Sequence, residues 1–152
     1  MLAILGNHDE CEIAVELGSL GVRMLINGAA EIRRDGTSLW LLGVDGPHRY
    51  GCDDLEAARA PVPAEAGVDL YPCGHTHAGQ IRLPGIGAPL MNAAYPRSYA
   101  HGHWQHGAMQ GYTRAGVGCS LLPVRYNCAP EIALIETLKK RARRAVTVGP
   151  SR

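Results

Sequence analysis

The chain has 152 residues, of which 46% are hydrophobic and 19% charged, and its 15 basic residues nearly balance 14 acidic ones. This length and composition are typical of one folded domain and exclude a disordered chain. The longest apolar stretch, residues 39–44, is far shorter than the roughly 20 residues that a membrane-spanning helix needs. The sequence does not open with a basic segment followed by an apolar one, so we expect no signal peptide. Five cysteines without a CxxC pair favour reduced thiols in a cytoplasmic protein.

The charges are distributed unevenly along the chain. Six basic residues lie in residues 139–152, which contain no acidic residue, whereas residues 1–138 carry 9 basic and 14 acidic residues. We therefore expect a main domain over residues 1–138, followed by a basic, flexible and solvated tail over residues 139–152. A basic tail also suits weak contact with an anionic membrane surface, which would make the protein peripheral to a membrane. The acidic main domain argues against a nucleic-acid partner.

Short apolar segments bounded by glycine, proline and polar residues predict small strands along the first half of the chain. The predicted strands are residues 2–5, 22–26, 30–33, 38–44 and 68–71. Asp35-Gly36 is a strong hairpin signal between the third and fourth of these strands.

Two helices are expected between the strands. Asn7 and Asp9 are predicted to cap a helix that runs to about Leu17 and stops at Gly18. Residues 53–60 predict a second, shorter helix. Strands and helices that follow one another in this way are typical of a mixed α/β domain.

The second half of the chain is rich in glycine, with nine of the 19 glycines between residues 74 and 118. This composition predicts loops and short strands rather than helices. Residues 111–115 predict a strand, and residues 131–138 fit either a strand or the start of a helix. The HGHWQH segment has metal-binding side chains of its own, but it contains no carboxylate and we expect a surface loop. Its histidines are His101, His103 and His106.

Two short motifs with the chemistry of a metal site each follow a predicted strand. They are Gly6-Asn7-His8-Asp9 and Gly74-His75-Thr76-His77. Ligands bind beyond the carboxyl ends of strands in open α/β sheets, so the two motifs are able to share one crevice. Two histidines separated by one residue point to the same side of an extended segment, and an asparagine carbonyl oxygen is a hard ligand that suits Mn, Mg or Fe. Either motif alone is more often structural, but the pair in this order favours a metal site.

The pair of motifs resembles the signature of the calcineurin-like metallophosphoesterases. The likeness continues through a GQIRLPGIG run and four later segments, at residues 79–87, 111–113, 116–118, 122–126 and 131–135. The last of these favours a strand over a helix for residues 131–138. The resemblance implies an α/β (α+β) fold that is the C-terminal part of a metallophosphoesterase β-sandwich flanked by helices. Residues 1–138 would then be a partial metallophosphoesterase domain.

The resemblance implies a hydrolase that cleaves phosphomonoester, phosphodiester or pyrophosphate bonds with a hydroxide activated by two divalent metal ions (Mn, Fe, Zn or Mg). Carried over motif by motif, Asn7 and His75 would bind the second metal and His77 the first. His8 would lie over the phosphoryl group, where it stabilises the transition state or protonates the leaving oxygen, and Asp9 would orient His8. The implied substrate is a phosphate ester, either a small molecule or lipid-linked.

Three motifs of the same family are missing from the sequence. The DxH and GDxxD motifs, which supply other ligands of the first metal and the bridging carboxylate, have no counterpart before Gly6, and residues 61–67 lack the histidine of an S/A-H-x-P motif. Asp45 and Asp69 are substitutes only if the fold has shifted, and His48 is the one other histidine. Two hypotheses stay open: a phosphoesterase whose sequence starts at an internal Met, and an inactive remnant or non-enzymatic fragment whose missing half is supplied in trans.

Overall fold

The computed structural model describes residues 1–46, 51–64, 66–91 and 94–137, so that the predicted tail (139–152) and His48 lie outside the described residues. The strands are β1 (Leu2–Ala3), β2 (Arg23–Met24), β3 (Gly28–Arg34), β4 (Thr37–Gly43), β5 (Leu70–Cys73), β6 (Gly102–His106) and β7 (Met109–Thr113). The helices are α1 (Cys11–Ser19) and α2 (Leu55–Arg59), and single 3-10 turns occupy His77–Gly79 and Arg97–Tyr99. The mixed α+β class expected from the sequence is confirmed.

The described strands form three separate sheets. β1 and β2 pair in parallel, β3 and β4 form an antiparallel hairpin, and β7 lies between β5 and β6 in the third sheet. Within the third sheet β5 runs parallel to β7, whereas β6 runs antiparallel to it. The strands that precede the two motifs, β1 and β5, therefore belong to different sheets.

The β3–β4 hairpin forms at the predicted dipeptide. Asp35 and Gly36 have φ values of 50° and 70°, so both central residues adopt the left-handed conformation that a type I′ turn requires. The pairing starts with Arg34 opposite Thr37 and continues along both strands. The turn residues thus set the register of this sheet.

Helix α1 forms where it was predicted, but its two ends differ from the prediction. The side chain of Asp9 does not cap the helix, because its carboxylate accepts a hydrogen bond from the Gly6 amide at 2.7 Å, and the helix begins at Cys11. The helix also continues through Gly18. The left-handed residue that follows is Gly21, with a φ of 81°.

Helix α2 lies within the predicted residues 53–60, has a polar cap and is tied to the end of β4. The carboxylate of Asp54 accepts a hydrogen bond from the Ala57 amide at 2.8 Å, as an N-cap residue does. The side-chain oxygen of Asn27 accepts from the amides of Asp54 at 3.0 Å and Asp45 at 2.9 Å. One asparagine side chain therefore links the start of α2 to the segment that leaves the hairpin.

Two predictions about strands are wrong. The HGHWQH segment, expected as a surface loop, contains β6, which pairs with β7 and places the Trp104 ring over Gly111. Residues 131–137, expected as part of a strand, have no regular secondary structure. The backbone amide of Glu131 donates instead to the carbonyl of Gly116 at 2.9 Å, and its side chain binds beyond the end of β7.

The buried core of the described residues consists mainly of small side chains. It contains six alanines and Cys128, and Leu25 is the one large aliphatic residue among its buried hydrophobic side chains. By contrast, 23 large hydrophobic side chains in the described part of the chain are exposed, including Leu121 at 99% and Ile132 at 83%. Much apolar surface of the described fold is therefore in contact with water. No helix within these residues has the length and the apolar character needed to cross a membrane.

Candidate functional site

The GNHD motif forms a closed turn after β1. The Gly6 amide donates to Oδ2 of Asp9 at 2.7 Å, and the Asp9 amide donates back to the Gly6 carbonyl at 3.1 Å. Asn7 is half-buried in this turn, whereas His8 is exposed. The carboxylate of Asp9 therefore holds the turn closed, and its role in orienting His8 stays a prediction.

A second carboxylate lies beside this turn. Gly46 packs against it, since a Cβ atom at Gly46 would lie 3.6 Å from the carbonyl oxygen of Gly6. The neighbouring residue is Asp45, which is half-buried and whose Oδ1 accepts from the Gly46 amide at 2.7 Å. The sequence analysis named Asp45 only as a substitute ligand in case the fold had shifted.

The GHTH motif lies in a loop with an unusual backbone. His75, His77, Ala78 and Gln80 have φ values of 73°, 49°, 54° and 56°. Residues other than glycine rarely adopt this left-handed region, which costs each of them about 1–2 kcal/mol. Strain of this kind persists only where the surrounding structure imposes it, and it is concentrated at functional sites. The loop is therefore the strongest structural sign of a site in the described residues.

Buried polar side chains connect this loop to segments that are distant in the sequence. The hydroxyl of Thr76, only 5% exposed, donates to the Ala100 carbonyl at 2.7 Å. The side-chain amide of Gln80 donates to the Leu122 carbonyl at 2.7 Å, and its oxygen accepts from the Ser120 amide at 2.7 Å. These bonds impose the strained backbone from two sides.

The second histidine of the motif is contacted by Arg125 and Cys128. Nη2 of Arg125 lies 3.4 Å from Nδ1 of His77, and the buried thiol of Cys128 donates to the His77 carbonyl at 3.4 Å. Cys128 also belongs to a small buried cluster with Ala78 and Ala115. Both the ring and the backbone of His77 are therefore held by the segment that follows β7.

A separate polar cluster lies beyond the end of β7. Glu131 accepts hydrogen bonds from the Tyr112 hydroxyl and from the Ala115 amide, the latter at 2.9 Å. The Ala115 amide and then the Tyr112 hydroxyl hold the pKa of Glu131 below its ordinary value of 4.5, and the same carboxylate raises the pKa of Tyr112. An open, mainly apolar cavity of about 450 Å³ lies here. It is lined by Leu70, His103, Tyr112 and residues 131–135, and none of the predicted site residues borders it.

The predicted site residues lie in two separate groups. Asn7, His8 and Asp9 share one turn, and His75 and His77 share one loop, after strands of different sheets. Within residues 1–46, 51–64, 66–91 and 94–137, no group of three or more His, Cys, Asp or Glu side chains is placed to hold a metal ion. The two motifs therefore do not lie at the edge of one common sheet.

The histidines of the HGHWQH segment have other contacts. Nε2 of His103 lies 2.6 Å from Oε1 of Gln110, and Nδ1 of His106 lies 3.5 Å from the Tyr99 hydroxyl. His103 and His106 are three residues apart on β6, so their side chains point to opposite faces of the sheet. Among the described residues they form no metal-binding group.

Comparison with known proteins finds relatives described as a phosphodiesterase or as metallophosphoesterases. Phosphodiesterase YaeI of Escherichia coli (strain K12) is 32% identical over 155 residues, which cover 88% of this chain and 57% of that protein. The uncharacterized metallophosphoesterase YkuE of Bacillus subtilis (strain 168) is 42% identical over 72 residues, 47% of this chain and 24% of that protein. An uncharacterized metallophosphoesterase of Helicobacter pylori (strain J99) is 38% identical over 74 residues, 48% of this chain and 19% of that protein. No family profile and no solved structure matches the chain.

These matches define the class of the protein as phosphoesterase-like, in agreement with the two motifs. The descriptions of these relatives support the resemblance of the chain to the calcineurin-like metallophosphoesterase superfamily. It spans little more than half, 57%, of the length of the E. coli phosphodiesterase.

Proposed function

We propose that this chain carries one part of a metallophosphoesterase active site and that the complete site hydrolyses phosphate esters. By family, the bond cleaved is a phosphomonoester, phosphodiester or pyrophosphate, and a hydroxide activated by two divalent metal ions is the nucleophile. The observation that carries the proposal is the GHTH loop, in which four residues other than glycine have left-handed backbones. A loop held at such cost is suited to presenting His75 and His77 in fixed positions.

The histidine, cysteine, aspartate and glutamate side chains of the described residues do not by themselves fit a pair of metal ions, because no three or more of them are grouped to hold one. Asn7, His75 and His77 are the residues that this chain would contribute to a larger donor set. We infer that the remaining donors, the bridging carboxylate among them, are supplied by polypeptide outside this chain. His8, exposed on its turn, would donate a hydrogen bond to a phosphoryl oxygen, and Asp9 would keep that turn closed.

A second candidate is an inactive remnant or non-enzymatic fragment. It is favoured by the same lack of a donor group in the described residues and by the absence of a histidine from residues 61–67. In this case the two motif loops would keep their folded structure, but the protein would not hydrolyse phosphate esters.

The substrate and the cellular setting are proposals that follow from the family and from the charge distribution. We propose a small-molecule or lipid-linked phosphate ester as the substrate, and no nucleic-acid partner. Residues 1–138 would form the partial domain in the cytoplasm, and the basic tail of residues 139–152 would give weak contact with an anionic membrane.

The experiment compares the chain alone with the chain in its native setting. The chain, tagged at its C-terminus, is recovered from its own cells with any accompanying polypeptide, and hydrolysis of a chromogenic phosphodiester is measured with added Mn²⁺. Activity in the native preparation that is lost in His8→Ala supports the phosphoesterase proposal. Equal rates for wild type and His8→Ala in both preparations would support the inactive remnant.

A further inference from the structure

The carboxyl ends of β5 and β7 meet at one edge of the third sheet. The two strands run parallel, with Cys73 opposite Thr113. The GHTH motif begins directly after β5, and Arg114 is the first residue after β7. The Arg114 amide donates to the Cys73 carbonyl at 3.0 Å, which holds the two segments side by side. Ligands of open α/β sheets bind beyond the carboxyl ends of strands, so Arg114 and the GHTH motif share an edge that is suited to a ligand.

The side chain of Arg114 lies beside the first residue of the GHTH motif. This residue is Gly74, and a Cβ atom there would lie 3.9 Å from Nε and 4.0 Å from Cγ of Arg114. The Arg114 side chain is also exposed. Its positive charge is therefore presented to solvent next to the strained loop that carries His75 and His77.

Arg114 differs from the other arginines of the described residues in the contacts of its guanidinium. Each of the others contacts a backbone carbonyl or a carboxylate, whereas the side chain of Arg114 has no hydrogen bond or ion pair within residues 1–46, 51–64, 66–91 and 94–137. The arginines that have such contacts are Arg23, Arg33, Arg34, Arg59, Arg82, Arg97 and Arg125. A guanidinium has five N–H donors and no acceptor, so the donors of Arg114 are available to an anion.

The carboxylate whose charge acts on Arg114 is held by other groups. The Ala115 amide and then the Tyr112 hydroxyl are the main causes of the lowered pKa of Glu131, and the charges of His101 and Arg114 contribute less. Oε1 of Glu131 accepts from the Tyr112 hydroxyl and Oε2 from the Ala115 amide. Glu131 therefore acts on Arg114 through its charge without a hydrogen bond.

We propose that Arg114 is a substrate-binding residue whose guanidinium donates two hydrogen bonds to a phosphoryl group at the start of the GHTH loop. The planar guanidinium presents parallel N–H donors that match two oxygens of a phosphoryl group. This inference rests on the proposed function, because it takes a phosphate ester as the ligand of this edge.

Inorganic phosphate is the probe for this site. It is titrated into the full ¹⁵N-labelled chain, in a chelator and at constant ionic strength, while the ¹H–¹⁵N signals of the arginine Nε groups are recorded. The Arg114 signal, assigned by its loss in Arg114→Gln, should shift and saturate. The signal of Arg34, whose side chain is 90% exposed on the β3–β4 hairpin, should not shift.

Variants measure how much of the phosphate affinity depends on the guanidinium. Backbone amide signals of the GHTH loop give the dissociation constant in each of them. Arg114→Gln should raise the dissociation constant of phosphate about tenfold, because charge-assisted hydrogen bonds are lost. Arg114→Lys keeps the charge without the planar fork and should raise it less. Arg34→Gln removes one exposed charge elsewhere and is the matched control, with an unchanged dissociation constant.

Three results would overturn the inference. They are the lack of a saturable shift of the Arg114 signal in wild type, equal phosphate affinity in wild type and Arg114→Gln, and an equal loss in Arg34→Gln. If circular dichroism shows that Arg114→Gln does not fold, the Arg114→Lys variant assigns the signal and decides by the same criteria.

The binding assay needs no turnover, so it is separable from the test of the proposed function. Phosphate binding that is weakened in Arg114→Gln, in a chain whose native preparation hydrolyses nothing, would support the anion site and count against the phosphoesterase proposal alone. Hydrolysis in the native preparation, with phosphate binding unchanged in Arg114→Gln, would overturn the role of Arg114 alone.

Discussion

Gly79 provides a sharp test of how closely the GHTH loop is packed. Its φ is 78°, and a Cβ atom there would lie 2.2 Å from Cβ of Ala88 and 3.0 Å from the carbonyl oxygen of Leu90. The left-handed conformation costs an L-residue about 1–2 kcal/mol, and forcing a methyl group into a packed site adds about 1–3 kcal/mol. We therefore expect Gly79→Ala to lower the free energy of unfolding by about 2–5 kcal/mol.

Gly85→Ala is the matched control for this substitution. Gly85 has a φ of 75°, but a Cβ atom there would meet nothing within 4 Å, so only the backbone cost of about 1–2 kcal/mol should appear. Urea unfolding followed by tryptophan fluorescence gives the free energies of wild type and both variants by linear extrapolation. Losses that agree within about 0.5 kcal/mol would refute the close packing of Gly79 against Ala88.

Three further predictions use the same unfolding assay. Thr76→Val removes the donor to the Ala100 carbonyl and should lower the free energy of unfolding by about 1–3 kcal/mol. Thr37→Val, at an exposed position, is the control and should change the free energy of unfolding by less than about 0.5 kcal/mol. Equal losses in the two variants would argue against the buried hydrogen bond of Thr76. Gly18→Ala, inside α1 with open space around the added Cβ, should stabilise the chain by about 0.5–1 kcal/mol, and a loss would contradict the described helix. The pKa of Glu131 is lower in the folded chain than its ordinary value of 4.5. The ionised Glu131 carboxylate therefore stabilises the folded chain above pH 4.5, and this stabilisation is lost as the pH falls through the lower pKa of the folded chain. The free energy of unfolding should therefore fall less steeply with decreasing pH in Glu131→Gln than in wild type. Identical slopes of the free energy of unfolding against pH in the two proteins would contradict this prediction.

The parts of the fold that were predicted depend on residues close together in the sequence. The Asp35-Gly36 turn determines the β3–β4 register, because both of its residues tolerate left-handed backbones. The helix predicted over residues 53–60 likewise forms as α2, whose cap needs only Asp54 and the amide three residues later. The two motifs are also short, continuous segments, which is why the resemblance to the family could be found before any geometry was known.

The parts that were missed depend on contacts between distant residues. β6 forms because Trp104 covers Gly111 across the pairing with β7, a partnership that the composition of HGHWQH does not indicate. The left-handed backbone around Thr76 and Gln80 is imposed by carbonyls and amides 24 to 42 positions later, so no local sequence pattern indicates it. The relative position of the two motifs also depends on tertiary structure, because the strands that precede them, β1 and β5, lie in different sheets.

The number of metal ions that the purified chain binds tests the central claim, that it carries part of a phosphoesterase metal site, most directly. The chain is loaded with Mn²⁺, desalted and analysed by inductively coupled plasma mass spectrometry, with His75→Ala and His77→Ala as controls. Because the described residues form no group of three or more His, Cys, Asp or Glu side chains that could hold a metal, we predict less than one retained ion per chain, unchanged in both variants. Two retained ions per chain, lost in both variants, would show that the chain by itself holds the complete site and would contradict the account.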